Sequence, residues 1–127
     1  MATCPYDILS KIPAAPIPPV VMESGPVHEE IHLGTSLLEK GGLGEFPIPI
    51  STPGFDCAPY TTASHWFTKD PETGKINIGN YRGQIKSPTR TGVYLSSSNH
   101  GGYHWEKCKR KGIPLEAALV IGAPPPV

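Results

Sequence analysis

Two groups of residues in this 127-residue chain have types and spacings that suit chemistry. The more specific is N-I-G-N-Y-R, from Asn77 to Arg82, followed by His100. Asn77 offers an amide oxygen and His100 an imidazole nitrogen, a pair that suits a hard divalent cation when a phosphate supplies further oxygens. Two protein ligands leave such a shell incomplete. Arg82 carries a planar fork that matches a carboxylate or carbonyl in a way lysine does not. In a regular strand the odd separation sends Asn77 and Arg82 to opposite faces, so a shared site needs a twist or bulge, which Gly79 permits. Taken alone, the same letters also describe an Asn at a strand start and a surface Arg in a salt bridge.

The second group is the alternating set His28, Glu30 and His32. On a strand these would share one face and could converge on a metal. An ordinary polar outer face opposite Val27, Ile31 and Leu33 produces the same alternation and is the preferred reading. The cysteines, Cys4, Cys57 and Cys108, are odd in number, widely spaced and lack a CxxC pair, which points to structural or incidental thiols in a reducing compartment.

The elements that must position these groups are short. Sixteen prolines and fourteen glycines break the chain into extended pieces. Asp7 to Lys11 suits a helical turn, and residues 1–19 form a proline-rich arm. Val20–Met22 and Val27–Leu33 read as strands around the Ser24, Gly25, Pro26 turn. Leu37, Leu38 and Leu43 suit a short helical turn against a core, with little regular structure from Gly41 to Pro59. Tyr60–Phe67 and Ile76–Ile85 read as a hairpin about the D-P-E-T-G turn at Asp70 to Gly74, with a third strand at Val93–Leu95. His100–Lys111 is the one substantial helix, stopped by Gly112, with Lys107, Lys109, Arg110 and Lys111 toward its negative end. Leu115–Ile121 reads as a last strand. The expected fold is mainly β (α+β), an antiparallel sheet or partly closed barrel with one helix, covering 20–127.

Eleven basic residues balance eleven acidic ones, which gives no field for nucleic acid or an anionic membrane. The apolar stretches fall well short of the roughly 20 residues that cross a bilayer, and no signal-peptide pattern is visible, so a cytoplasmic location is expected.

Several stretches together resemble the UbiD family of reversible decarboxylases: S-G-P-V-H-E (Ser24 to Glu29), T-K-D-P-E-T-G (Thr68 to Gly74), N-I-G-N-Y-R-G-Q (Asn77 to Gln84), H-G-G-Y-H (His100 to His104) and V-I-G-A-P-P (Val120 to Pro125). Their order and spacing carry more than any single motif, with five positions from Asn77 to Arg82 and twelve from His100 to Gly112. The resemblance implies a split β-barrel, similar to FMN-binding folds, that holds prenylated flavin mononucleotide. It also implies Mn²⁺ or a similar divalent cation at the phosphate, with K⁺ as a further cation it admits. Asn77 and His100 match the family's metal ligands; Thr62, Asn80, Tyr81 and Asn99 match positions lining the cofactor; Arg82 matches the arginine beside the reactive flavin edge.

The implied reaction is loss of CO₂ from an aromatic, heteroaromatic or α,β-unsaturated acid through a flavin adduct. In such enzymes a pair of glutamates and a third metal ligand come from chain beyond the V-I-G-A-P-P strand, and neither Glu106 nor Glu116 matches them. Lys75 stands where many members carry an aromatic residue. The expectation is therefore a partial UbiD-like domain, self-associating as a homodimer or larger oligomer or completed by a partner chain, with a small carboxylic acid as substrate. The alternative is a noncatalytic or repurposed split barrel: a dimeric binding module, or a small-molecule lyase or isomerase that uses no prenylated flavin.

Overall fold

The computed structural model describes Pro18 and residues 20–123. They divide into two compact units, with the boundary between His32 and Leu33. The helical turn expected at Asp7–Lys11 and most of the proline-rich arm lie outside the described residues.

In the first unit the expected strands are replaced by a 3-10 turn at Pro26–His28, where the His28 N–H donates to the Gly25 carbonyl at 2.9 Å. The alternation of Val27 to Leu33 therefore does not put His28, Glu30 and His32 on one strand face. Proline at the first turn position fixes φ in the helical range, and among the described residues no strand pairs with this stretch. His32 Nε2 lies 3.3 Å from Glu30 Oε2, and no cluster of three metal-ligating groups of the His, Cys, Asp and Glu types occurs among the described residues.

The second unit is a split-barrel-like α+β arrangement of two open, three-stranded antiparallel sheets and one helix. Its strands are β1 (Tyr60–Thr61), β2 (His65–Lys69), β3 (Ile76–Gly79), β4 (Gly83–Ser87), β5 (Arg90–Val93) and β6 (Ala117–Val120), with α1 at His100–Lys111. One sheet runs β1-β4-β5 and the other β3-β2-β6. Two 3-10 turns, Gly34–Leu38 and Gly42–Glu45, precede β1. Leu37 and Leu38 remain largely exposed there instead of covering a core.

Local chemistry explains the two best-defined elements. In the β2–β3 turn, Asp70 Oδ1 accepts from the Glu72 N–H at 2.8 Å and the Thr73 N–H at 3.3 Å, while Gly74 supplies the left-handed φ of 71°. Helix α1 starts at Asn99, whose side chain accepts from the Gly102 N–H at 2.7 Å, and stops at Gly112 with φ 67°.

The helix is held to the sheet mainly by polar groups. Ser64, Trp66, Thr68 and Asp70 are buried along and beside β2 with strand periodicity, and His104, Lys107 and Cys108 are buried on α1. Thr68 Oγ1 and His104 Nδ1 are 3.0 Å apart, and Lys107 Nζ donates to Asp70 Oδ2 at 2.7 Å. Glu72 Oε2 lies 2.9 Å from the same ammonium. Bonding to Lys107 holds the carboxyls of Asp70 and Glu72 below their ordinary values and holds the Lys107 ammonium above its own. The buried apolar side chains among the described residues are Trp66 and Cys108.

Candidate functional site

The stretch read from sequence as one strand, Ile76 to Ile85, is two. Strand β3 ends at Gly79 in one sheet and β4 begins at Gly83 in the other, so Asn80–Arg82 is the crossing between them. A side chain from β2 and backbone carbonyls from the segment before it fix this corner. Trp66 Nε1 donates to the Tyr81 carbonyl at 2.8 Å. Asn80, in the amide orientation that satisfies its neighbours, donates to the carbonyls of Ser64 at 3.0 Å and Thr62 at 3.1 Å. The distortion needed between Asn77 and Arg82 is thus a change of sheet. Gly79 contributes to it through its missing Cβ and not through a positive φ.

Tyr81 turns its ring back between β3 and the start of α1. Its hydroxyl accepts from Asn77 Nδ2 at 3.3 Å and from the Gly101 N–H at 3.1 Å. Asn77 is half-buried and His100, the first helical residue, is exposed. One phenol oxygen therefore joins the Asn77 side chain to the helix turn that carries His100. Because the Asn77 amide nitrogen faces Tyr81, its carbonyl oxygen is left for another partner. The His100 side chain has no hydrogen bond or ion pair among the described residues.

Arg82 is engaged elsewhere. Its Nη2 donates to Asp56 Oδ1 at 2.8 Å, and its guanidinium carbon sits 4.1 Å from the centre of the Tyr60 ring. Asp56 also accepts from the Thr52 N–H at 3.0 Å. The Arg82 guanidinium, more than any other group, holds the Asp56 carboxyl below its usual value. The Arg82 side chain is 51% exposed against 13% for Asp56, so the fork is anchored at one end and open to solvent along its length.

Tyr60 also lines a cavity of about 360 Å³ with Pro47, Ile48, Thr62, Ser64 and His65. Two buried polar atoms of that group, Ser64 Oγ and His65 Nδ1, have no partner among the described residues. Asn99 serves as the helix cap, and its amide nitrogen also donates to Ser96 Oγ at 3.2 Å. The structure thus joins Asn77 to the His100 turn through Tyr81, ties Asn80 to Thr62, and sets Arg82 against Asp56 and Tyr60. Sequence reasoning passed over Asp56, Tyr60 and Trp66: an isolated loop Asp, a strand Tyr and a core Trp form no spacing pattern.

A family model described as UbiD, 3-octaprenyl-4-hydroxybenzoate carboxy-lyase Rift-related domain, matches residues 20–127. The chain belongs to the UbiD family. An uncharacterized protein of Aquifex aeolicus is 37% identical over 109 residues, covering 86% of this chain and 21% of that protein. A phenolic acid decarboxylase of Sedimentibacter hydroxybenzoicus is 29% identical over 127 residues, covering 94% of this chain and 25% of the enzyme. Among solved structures, an evolved dimeric form of the UbiD-class enzyme HmfF from Pelotomaculum thermopropionicum, in complex with prFMN, is 35% identical with a TM-score of 0.59. That match covers 74% of this chain and 19% of HmfF. This UbiD-family chain thus spans no more than about a quarter of the length of these relatives.

The residues present suit a divalent cation and the prFMN found with HmfF. The Asn77 amide oxygen and the His100 imidazole, carried on elements joined through Tyr81, are donor types suited to Mn²⁺. A largely apolar cavity lined by residues that include Ser64 and His65 suits a planar heteroaromatic ring. No described helix of this UbiD-family chain is long and apolar enough to cross a membrane.

Proposed function

We propose that this chain is the cation- and flavin-holding part of a UbiD-type reversible decarboxylase. It would act on an aromatic, heteroaromatic or α,β-unsaturated acid with prenylated FMN and Mn²⁺ or a similar cation. The observation that carries the reading is the Asn80–Arg82 corner. The residues at that crossing link Asn77 to the helix start at His100 through Tyr81, and set Arg82 on the Tyr60 ring that lines the cavity.

When bound, the flavin supplies the electron sink that decarboxylation requires. The chain's own residues do the holding. Asn77 Oδ1 and the His100 imidazole would offer two oxygen- and nitrogen-donor ligands to the cation. Arg82 orients the acid's carboxylate by its planar fork, with Asp56 fixing the guanidinium and Tyr60 supporting its face. Thr62 lines the cavity, and Asn80 holds the Thr62 and Ser64 carbonyls through its side-chain amide.

The test is a titration of the chain with FMN and Mn²⁺, followed by flavin fluorescence. Quenching that requires Mn²⁺ and disappears in Asn77→Ala and His100→Ala is expected. Unchanged fluorescence at saturating Mn²⁺ overturns the reading. After anaerobic reconstitution with prenylated FMN, Arg82→Ala is expected to retain flavin and to abolish CO₂ release.

A second reading, a self-associating binding module without turnover, is favoured by one observation: the Arg82 fork already holds a carboxylate of its own chain. Native mass measurement separates the two. Stable oligomers that take up no flavin support the module; flavin-dependent mass and CO₂ release support the enzyme.

A further inference from the structure

Tyr81 fell among the positions expected to line a cofactor. Its geometry gives it different work. The phenol ring occupies a slot that exists because two residues lack side chains. A Cβ on Gly79 would collide with the phenol carbon and oxygen, and one on Gly101 would come within 2.9 Å of the ring. Gly79 ends β3 and Gly101 is the second residue of α1, so the ring sets the gap between strand and helix. At the end of that slot the hydroxyl accepts two hydrogen bonds, one from the Asn77 amide and one from the Gly101 N–H.

Each bond has a consequence for a ligand atom. An Asn side chain has two amide orientations related by a half-turn, and with Nδ2 donating to Tyr81 the structure holds the one in which Oδ1 faces away from the phenol. The Gly101 N–H is one of the four helix-start donors without an intrahelical acceptor, and the bond to Tyr81 fixes the turn bearing the His100 side chain. Asn99 caps the next donor, Gly102, so the first turn is pinned from two sides. Trp66 in turn holds the Tyr81 carbonyl, which stops the whole residue from sliding along the slot.

We infer that Tyr81 is a positioning residue for the cation: its hydroxyl presets the Asn77 amide oxygen and the His100 turn as paired ligands. This rests on the reading that Asn77 and His100 bind a divalent cation. Groups that orient a ligand from behind commonly change metal affinity about 10- to 100-fold when removed. Tyr81→Phe keeps the ring in its slot and deletes only the hydroxyl.

The experiment is NMR of the full chain, free and during a titration with Mn²⁺ alone. In the wild type, Mn²⁺ is expected to broaden the Asn77 side-chain and His100 signals together. In Tyr81→Phe the same broadening should need about tenfold more Mn²⁺. The metal-free Gly101 amide should exchange faster, with Cys108 and Lys109 amides unchanged. A merely structural role would not shift the Mn²⁺ midpoint while leaving the rest of the helix protected. Wild-type broadening and Gly101 exchange in Tyr81→Phe overturn the inference while leaving the cation reading intact. If instead Asn77→Ala and His100→Ala broaden like the wild type at the remaining ligand, the cation reading itself fails, and the positioning role with it. Gly101→Ala supplies a second variant, expected to weaken Mn²⁺ binding with the hydroxyl still present.

Discussion

Two cation–carboxylate pairs of nearly equal length sit in the second unit, and their surroundings give them opposite roles. Lys107 and Asp70 meet at 2.7 Å, with side chains 6% and 8% exposed. Arg82 and Asp56 meet at 2.8 Å, with 51% and 13% exposed. The buried pair is further satisfied by Glu72 and by the turn N–H groups on Asp70, so no solvent or ligand competes for it. It joins helix to sheet. The open pair spans a loop and a strand junction, and a ligand carboxylate can approach the same guanidinium. Equal distance therefore says little; access to water decides whether a pair is a fastener or a grip.

Breaking the buried pair should have the largest effect. Lys107→Ala leaves Asp70 buried without its cation and is expected to lower the thermal unfolding midpoint by on the order of 10 °C. Circular dichroism reads this, and a loss under about 2 °C would erase the contrast drawn above. Lys107→Met with Asp70→Leu, which removes both charges, should regain most of the loss.

The pH response should separate the pairs next. Asp70 and Glu72 have folded-state values below the ordinary carboxylate, so their contribution is present above that value and is lost as pH falls through the lowered one. Lys107 is raised, so its contribution is present below the ordinary lysine value of 10.5 and is lost as pH climbs through the raised one. A plateau across neutral pH with a steep acid limb below about 4 is expected, and Asp70→Asn should flatten that limb. Asp56 is lowered as well, but its partner is exposed, so Asp56→Asn should barely change the acid limb in 0.5 M salt.

The smallest stability effect is expected at Arg82. Arg82→Ala should move the midpoint by less than about 2 °C while ending the CO₂ release proposed for the chain reconstituted with prenylated FMN. Asp56→Asn frees the guanidinium and should strengthen binding of a small aromatic acid a few-fold by calorimetry, an effect that vanishes when Arg82→Ala is added. A large midpoint shift in either variant would move the open pair into the structural class.

What could be read from sequence was local. The Gly112 stop and the Asp70–Gly74 turn each complete their bonding within a few residues, and the expected helix and hairpin turn were found in place. The division of Ile76–Ile85 was not visible, because Trp66 and Asn80 impose it by bonds across the fold. Val27–Leu33 shows the opposite failure, since alternation makes a strand only where a neighbouring edge accepts it. Lys107 looked like one more solvated base near the helix end. Its inward turn depends on Asp70, 37 positions earlier. The Tyr81 phenol, which joins the Asn77 amide to the helix turn carrying His100, answers to no spacing pattern in the sequence.

The indole of Trp66 gives the corner an optical signature of its own. It is 9% exposed with its ring nitrogen bonded to the Tyr81 carbonyl, whereas Trp105 on α1 is 41% exposed. The two emitters should separate into a shielded, blue component and a wetter, red one. Loosening of the strand crossing can then be followed in unlabelled protein as a gain at the red edge, before any cofactor is added.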